Sequence, residues 1–600
     1  MGAIDRRQFI AAGALVAAAP AWAATGNESE RLHVFFERVF QRDLARNPAA
    51  QSALGGKGAN RDWPDVSEAR ADQNVALVRG DLAELRRFDR AALTPEAQLS
   101  YDLFAYDAEE AIERHRWRGN HYPVCQMRGP QRDIPQTLIN NHAIKNVADA
   151  EAYIERLYAV RPYLAAVVAG LERQAAAGVV PPDFSRPLVI GNCEKLMSGA
   201  PFEPEGADSP ILADFRSKVT ALALDEAATA RLIDAARAGL LEGFGPGFRH
   251  LIEHLRAAGC PDGCNEGVWR LPDGDAYYAA QLRWNTTLPI SPEEVHRIGL
   301  AETERLHGEM RGLMKRAGFN GTLAELFEHV RTADSFYYPN DAAGKAAYLD
   351  AMRAKIAAVS ARLGELTRHV PHADVVVKPV EPWLEASAGT AGYFAPSADG
   401  TRPGILYINT RDMRNLPIYE LSALAYHEGV PGHHLEKAVT RGLTDLPKFR
   451  AFGGYTAFSE GWALFAEQLP VEMGLYDDPW QDFGRLSMEL MRAGRLVTDT
   501  GVHALRWSRE RAIAWLNANT PTNHADNVTA IQRYIVTPGQ ACAYEMGKLK
   551  LVELRDRARA ALGPRFVISA FNDRVLGSGP LPLPMLQASI DSWIAKGGTA

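Results

Sequence analysis

The stretch Ala425-Tyr426-His427-Glu428-Gly429-Val430-Pro431-Gly432-His433-His434-Leu435 interrupts a region that otherwise has the pattern of a helix. Pro417 near the start and Glu420 in the first turn, followed by apolar residues, predict a helix over 417–428. The glycines and the proline that come next are helix breakers. A run this unfavourable for a helix, inside a helical region, indicates a distortion that serves function.

An adjacent histidine and glutamate on a helix are typical of zinc hydrolases. The histidine binds the metal, and the glutamate takes a proton from the metal's water. His427 and Glu428 form such a pair, but the position of the usual second histidine, four residues after the first, is taken by Pro431. In a straight helix His433 would lie about 9 Å along the axis from His427. A bulge or break between them would bring His433 back.

Two alternatives stay open on the residues alone. His434 offers the same ligand chemistry as His433, so either histidine could be the second ligand. The stretch could also be two helices joined at a Pro-Gly turn that only carries surface histidines.

A third ligand is expected from Glu460, in the first turn of the apolar segment 459–467. A lone carboxylate is out of place there unless it is paired or bound to a metal. The alternative is a favourable negative charge at a helix N-terminus. Glu467, two turns later, is expected to be solvated or to support a ligand from outside.

Helical patterns dominate the rest of the chain, with no internal repeat and no long low-complexity linker. Thr94-Pro95-Glu96 and Ser291-Pro292-Glu293-Glu294 have the composition of helix starts. Helices are predicted over 29–46, 146–178, 224–258, 292–317, 341–369, 417–442, 456–470, 482–517 and 538–562. The predicted fold class is therefore mainly all-α, as a single domain over 24–600 with the metal-site region at 417–562.

One region, near residues 375–408, predicts a small β-hairpin or sheet instead. Short β-branched and aromatic runs are joined there by turns rich in Gly, Pro and Asp. An edge strand beside the metal helix could bind an extended peptide, which makes Tyr393 a candidate substrate contact. A hairpin that only covers the core is an equal alternative.

The N-terminus predicts export. Arg6-Arg7 precede a short apolar run and the segment Ala21-Trp22-Ala23, which is the pattern of a signal peptide over residues 1–23 cleaved after Ala23. The paired arginines favour twin-arginine export over the general secretory route. The alternative is an uncleaved amphipathic start. A periplasmic location is expected, and no later segment predicts a membrane span.

The net charge of -7 argues against a nucleic-acid partner. Cys260 and Cys264 flank a turn and could form a disulfide in an oxidising compartment or remain free. Cys125, Cys193 and Cys542 are expected to be buried.

The segments 426–435 and 459–467 closely resemble the bacterial family of unknown function DUF885. Further matches lie at 271–278, 286–287, 499–503 and 533–544, so the resemblance extends over nearly the whole of 24–600. It implies an all-α fold similar to the thimet-oligopeptidase and angiotensin-converting-enzyme group, in which a deep channel between two lobes holds zinc.

In that group two histidines and a glutamate bind the zinc. Carried over, the resemblance implies His427, His433 and Glu460 as metal ligands and Glu428 as the catalytic base. The family pattern usually has glutamine where Glu436 stands, which puts one supporting hydrogen bond in doubt.

Peptide hydrolysis also needs a donor to the oxyanion of the tetrahedral intermediate. The candidates are His503, which Asp499 could orient from one helical turn away, and Tyr544. A surface ion pair and a core tyrosine are the respective alternatives.

Arg533, Tyr534 and Gln540 are candidate substrate contacts. Arg533 could pair with a substrate carboxylate or simply coat the surface. Gln540 could instead complete a capping box with Thr537.

The sequence therefore predicts a peptidase with one zinc ion per chain that acts on short peptides. The rivals are a metal-dependent amidase on other amides and a non-catalytic protein that retains the metal. Bond position in the substrate, side-chain preference and oligomeric state are left open.

Overall fold

A computed structural model describes residues 27–371, 373–381, 385, 389–396, 403–476 and 478–598. The described chain is mainly helical with one small sheet, which confirms the predicted fold class. The predicted signal over residues 1–23 lies outside the described residues. Among the helices described here, none combines the length and apolar character needed to cross a membrane.

The α-helices that precede the sheet are α1 (Glu28–Ala45), α2 (Pro48–Ala53), α3 (Glu68–Leu85), α4 (Pro95–Arg116), α5 (Pro130–Pro135), α6 (Val147–Ala176), α7 (Ser185–Leu196), α8 (Pro210–Thr220), α9 (Glu226–Gly239), α10 (Gly245–Ala257), α11 (Gly274–Thr286), α12 (Pro292–Arg316), α13 (Leu323–Thr332) and α14 (Ala342–Ser360).

Those that follow it are α15 (Leu421–Glu428), α16 (His433–Gly442), α17 (Lys448–Phe452), α18 (Thr456–Ala466), α19 (Leu469–Glu472), α20 (Pro479–His503), α21 (Arg509–Asn519), α22 (His524–Val536), α23 (Ala543–Leu562), α24 (Ile568–Gly577) and α25 (Leu583–Ala595).

The predicted helix starts form as their sequences dictate. Thr94 caps α4 by accepting a hydrogen bond from the Ala97 N–H, and Ser291 caps α12 by accepting one from the Glu294 N–H. In both helices proline stands at the start, where its missing N–H has no helical partner to lose.

Four predicted helices are each divided in the structure, since 417–442 forms α15 and α16 and 456–470 extends over α18 into α19. The region 224–258 forms α9 and α10, joined by a wider π-helical turn over Leu240–Phe244. The region 482–517 forms α20 and α21, because Ser508 starts a new helix by capping the Arg511 N–H. The Trp507 N–H meanwhile bonds back to the Gly501 carbonyl, which turns the chain.

The sheet has the strands β1 (Val375–Pro379), β2 (Ala391–Phe394) and β3 (Gly404–Ile408), with β3 in the centre. The first strand pairs with β3 in parallel and β2 pairs with it antiparallel, so that Tyr393 stands opposite Leu406. The predicted strands are therefore present, although Ala388, with which the second predicted run begins, lies outside the described residues.

The apolar side chains pack into separate clusters, of which two are large. One lies among α6 to α10, and the other includes residues of α14, α15, α16, α18 and α23. The helices that carry the predicted metal ligands are therefore anchored in the second core. The two lobes and the channel implied by the resemblance remain a prediction.

Cys260 and Cys264 form a disulfide, which settles the choice left open by the sequence. Cys125, Cys193 and Cys542 are free and buried, as predicted.

Candidate metal centre

The turn between α15 and α16 brings His433 back to His427. Helix α15 ends at Glu428 and α16 begins at His433. A Cβ at Gly432 would lie 1.9 Å from the His427 carbonyl oxygen, so the return path is open to glycine alone. The two imidazole rings consequently stand with their centroids 4.9 Å apart.

Helix α18 holds this turn and carries Glu460. The indole nitrogen of the fully buried Trp462 donates a hydrogen bond to the Pro431 carbonyl, at 3.0 Å. Helix α18 in turn crosses α23 at very short range, since a Cβ at Gly461 would lie 2.5 Å from the carbonyl carbon of Gly547. The side chain of Glu460 therefore projects from a helix that is fixed on both sides.

The predicted ligands meet at one point. The Nε2 atoms of His427 and His433 lie 3.7 Å and 3.3 Å from Oε2 of Glu460. Three atoms bound tetrahedrally to zinc at about 2.1 Å stand roughly 3.4 Å apart. The three ligand atoms lie within 4.8 Å of one another, and the donor set of two imidazoles and a carboxylate suits zinc.

Glu467 orients His427 from behind. Its Oε1 atom lies 2.7 Å from Nδ1 of His427, and its side chain is buried. A carboxylate at Nδ1 keeps the proton there and leaves Nε2 free to bind a metal. Of the two expectations for Glu467, the structure selects support of a ligand over exposure to solvent.

The electrostatics of the group favour a cation. Burial lowers the pKa of His427, but hydrogen bonds to Glu460 and Glu467 outweigh it and raise the pKa to about 9. Burial likewise raises the pKa of Glu460, but the charges and hydrogen bonds of His433 and His427 hold it well below its usual range. A bound metal would take the place of the proton on His427.

His434, the alternative second ligand, has both ring nitrogens engaged. Nε2 lies 3.0 Å from the Ala373 carbonyl, to which it donates, and Nδ1 lies 2.9 Å from the Tyr393 hydroxyl. His433, by contrast, points at Glu460. The Tyr393 hydroxyl thus supports His434, and a contact of Tyr393 with substrate remains a prediction.

Glu428 is the last residue of α15 and is half-buried. Over the described ranges of the chain, no hydrogen bond or ion pair engages its carboxylate. Glu428 directly follows His427 in the chain, and its role as the base remains a prediction.

Glu436, where the family pattern has glutamine, is fully buried on α16. Lys437 neutralises it at 3.0 Å, and the same ammonium group donates to the Ser459 hydroxyl at 2.8 Å. The negative charge that Glu436 adds relative to the family pattern is thus balanced by Lys437. The Ser459 that Lys437 also contacts directly precedes Glu460 in the chain.

The predicted catalytic role of His503 does not hold. Nδ1 accepts a hydrogen bond from the Val268 N–H at 3.1 Å, and Nε2 lies 3.0 Å from the Tyr534 carbonyl. Asp499, predicted to orient it, instead accepts from Tyr278. Both ring nitrogens of this fully buried imidazole are used by the backbone, so neither can donate to an oxyanion. A spacing of one helical turn allows Asp499 to contact His503, but the partners that the two side chains actually take come from neighbouring elements.

Tyr544, Arg533 and Gln540 lie together, as a common site requires. Nη2 of Arg533 donates to Oε1 of Gln540 at 2.9 Å and to the Tyr544 hydroxyl at 3.1 Å. The capping box predicted for Gln540 is not formed, because its side chain turns to Arg533. Gln540 also lines a pocket of about 100 Å³.

Two arginines were missed by sequence reasoning. Arg492 and Arg495 are buried one turn apart on α20, and Nε of Arg495 donates to the Tyr534 hydroxyl at 3.1 Å. The Tyr534 hydroxyl thus supports Arg495, and a contact of Tyr534 with substrate remains a prediction. The available signal was two arginines inside the apolar helical run 488–497.

Comparison with known proteins identifies a family. The family model described as "Bacterial protein of unknown function (DUF885)" matches residues 48–590. A solved structure of a candidate lipoprotein from Colwellia psychrerythraea is 28% identical with a TM-score of 0.87, over 95% of this chain and 100% of that one. No curated protein sequence matches.

More distant structures add only the fold or less. A candidate lipoprotein of unknown function from Shewanella oneidensis is 17% identical with a TM-score of 0.68, over 92% of this chain and 98% of that one. A candidate oligoendopeptidase F from Bacillus anthracis str. Ames is 11% identical, over 87% and 96% of the two chains, and its TM-score of 0.24 is too low to bear on function.

Proposed function

We propose that this chain, which belongs to the bacterial family of unknown function DUF885, is a zinc-dependent peptidase that hydrolyses short peptides in the cell envelope. The observation that carries the proposal is the meeting of His427, His433 and Glu460 at the spacing of tetrahedral zinc ligands. The choice of a peptide bond is supported by the resemblance of the metal motifs to the family DUF885, which implies a fold similar to the thimet-oligopeptidase group.

When bound, zinc would polarise the substrate carbonyl and lower the pKa of a water molecule to about 7. The carboxylate of Glu428 is placed to accept a proton from the attacking water and to pass it to the leaving amine. Tyr544 can donate its hydroxyl proton to the developing oxyanion. Glu467 holds His427 in the orientation that this chemistry requires.

A metal-binding protein without turnover is the rival from another class. Such a protein needs His427, His433 and Glu460, but it does not need a base. The half-buried Glu428, without a described partner, favours catalysis over retention alone. An amidase acting on other amides would use the same groups, and a substrate panel separates it from a peptidase.

The proposed location is the periplasm. The relatives from Colwellia and Shewanella are described as candidate lipoproteins, which agrees with export. In this chain no cysteine lies near Ala23, so the signal is proposed to be cleaved without lipid attachment. The mature N-terminus is expected at Ala24, and replacing Arg6-Arg7 with lysines is expected to block export.

Metal analysis of the purified protein, together with a peptide-library digest read by mass spectrometry, tests the proposal. We expect about one zinc ion per chain and cleavage of short peptides. Alanine at His427, His433 or Glu460 should remove the metal, whereas His434→Ala should keep it. Full occupancy in His433→Ala with loss in His434→Ala would reverse the ligand choice.

A further inference from the structure

Two arginines, Arg495 and Arg533, contact Tyr544, and a third, Arg492, acts on it electrostatically; we name the three the arginine cluster. The guanidinium carbon of Arg495 lies 4.3 Å from the centre of the Tyr544 ring. Arg533 donates to the hydroxyl of the same tyrosine at 3.1 Å. Arg492 lies on the same face of α20 as Arg495, three residues before it, and within electrostatic range of Tyr544.

The arginine cluster has no acidic partner. Across the part of the chain that the structure describes, no carboxylate oxygen lies within 4.0 Å of any of the three guanidinium groups. Arg492 and Arg495 are only 5% and 8% exposed. The Nε atom of Arg492 and the Nη1 atom of Arg495 are buried without any hydrogen-bond partner. Buried charge in this state is costly unless a partner arrives.

Other buried cations on the same helices are paired. Arg485, two turns before Arg492 on α20, contacts Asp482 and Glu489. Lys548, one turn after Tyr544 on α23, contacts Glu489 and Glu545. Among the buried cations of α20 and α23, only Arg492 and Arg495 therefore lack a carboxylate partner in the part of the chain that the structure describes.

The arginine cluster adjoins the metal group. Helix α20, which carries Arg492 and Arg495, packs against α15 and α23. The charge of Arg492 acts on His427, and that of Glu460 acts on Arg495. Glu467 also acts on Arg492, but Glu460 faces the two ligand histidines and Glu467 is bonded to His427, and among the described residues neither carboxylate forms an ion pair with the arginines.

We propose that the arginine cluster binds a carboxylate of the substrate and thereby sets which peptide bond reaches the metal group. A guanidinium group presents its donors in a planar fork that matches a carboxylate, which is why arginine suits this task. The carboxylate belongs to the free C-terminus of a short peptide or to an acidic side chain near the cleaved bond. This inference rests on the proposed function, in that the bound carboxylate is part of a peptide substrate.

The test compares peptides that differ in one carboxylate. A short peptide with a free C-terminus is paired with its C-terminal amide, and a second pair exchanges Glu for Gln beside the cleaved bond. Binding is measured by calorimetry on the zinc-loaded Glu428→Gln protein, and kcat/KM is measured on the protein with Glu428 intact. We expect the carboxylate to improve binding and kcat/KM at least about tenfold in one of the pairs. The pair that shows this effect identifies the bound carboxylate as the C-terminus or as an acidic side chain.

Arg495→Met should abolish the preference for the peptide with the carboxylate. Arg533→Met should do the same, and Arg533 is half-exposed and therefore easier to replace. In both variants the ratio of binding between the charged and the uncharged peptide should fall to about one. Arg450→Met is the matched control, because Arg450 is equally buried and has no acidic partner among the described residues, but contacts Ser100 and Ser578. It should keep the full preference.

Equal binding of charged and uncharged peptides in both pairs would overturn the inference. A preference that survives in both arginine variants would also overturn it, as would an equal loss of turnover on charged and uncharged peptides without a change in binding. Binding that depends on the carboxylate and the arginines, with no turnover of any peptide, would support the arginine cluster and refute the peptidase.

Discussion

Glu467 reaches across from the end of α18 to place its Oε1 atom 2.7 Å from Nδ1 of His427. This contact fixes which nitrogen of His427 faces His433 and Glu460. It also explains a buried carboxylate at a position where an exposed residue was equally expected.

Removal of this support should weaken the metal site without destroying it. Glu467→Ala is expected to reduce zinc affinity about 10- to 100-fold, because the imidazole loses the partner that orients it and strengthens it as a ligand. The measurement is competition with a chelator of known affinity. Glu472→Ala, at an exposed position, is the control. Unchanged affinity in Glu467→Ala would mean that the contact does not act on the metal.

The return of the chain at Gly432 is the next testable feature. Gly432→Ala places a methyl group 1.9 Å from the His427 carbonyl oxygen in the present structure. We expect loss of zinc binding and a lower melting temperature, since the backbone must move to relieve the overlap. Gly442→Ala, at the end of α16, meets nothing within 4 Å and should behave like the unaltered protein. Normal zinc content in Gly432→Ala would contradict the tight turn.

His503 should matter for stability and not for catalysis. Burial lowers its pKa to about 4. Between that value and the ordinary value near 6.5, the unfolded chain binds a proton at this histidine that the folded chain does not bind. The free energy of unfolding therefore decreases as pH falls from about 6.5 to about 4.

His503→Gln can keep both backbone hydrogen bonds and removes the titration. Lowering the pH from about 7 to about 5 should reduce the free energy of unfolding in both proteins. The reduction should be about 2 kcal/mol smaller in the variant than in the unaltered protein. Denaturant unfolding at the two pH values measures this. Peptide turnover at pH 7 should stay near normal, and a large loss of turnover with intact folding would restore the catalytic role.

Tyr544 is expected to act in the reaction itself. Tyr544→Phe removes the proposed oxyanion donor and should lower kcat about 10²- to 10³-fold with zinc content unchanged. Tyr163→Phe is the control, since Tyr163 stacks on Trp63 beside the apolar cluster among α6 to α10. A rise in KM alone would assign Tyr544 to substrate binding instead.

The sequence predicts the centre of the site better than its surroundings, for a physical reason. Few residue types bind zinc, so His427 and Glu460 can be recognised as candidate ligands from the sequence alone. Gly432 can likewise be recognised as a residue that breaks a helix. The burial of Arg492 and Arg495 is set by helices distant in the chain, so their lack of partners could not be read from α20 alone. The same limit explains the error at His503.

Helix boundaries follow the same division. The cap at Ser291 is local and was predicted, whereas the break before Ser508 depends on the return of Trp507 to Gly501 and was missed. Local signals in the sequence therefore account for the starts of helices, including the cap at Ser508, whereas the bond from Trp507 back to Gly501 that ends α20 has no recognisable signal in the pattern.

The most direct measurement is the zinc content and the peptide turnover of Glu428→Gln, side by side with the unaltered protein. Glutamine keeps the size and hydrogen bonding of the side chain but cannot accept the proton. We predict about one zinc ion per chain, normal folding and turnover at least about a hundredfold lower. Loss of zinc would make Glu428 a ligand, and unimpaired turnover would remove it from the reaction. Either result would contradict the proposed mechanism.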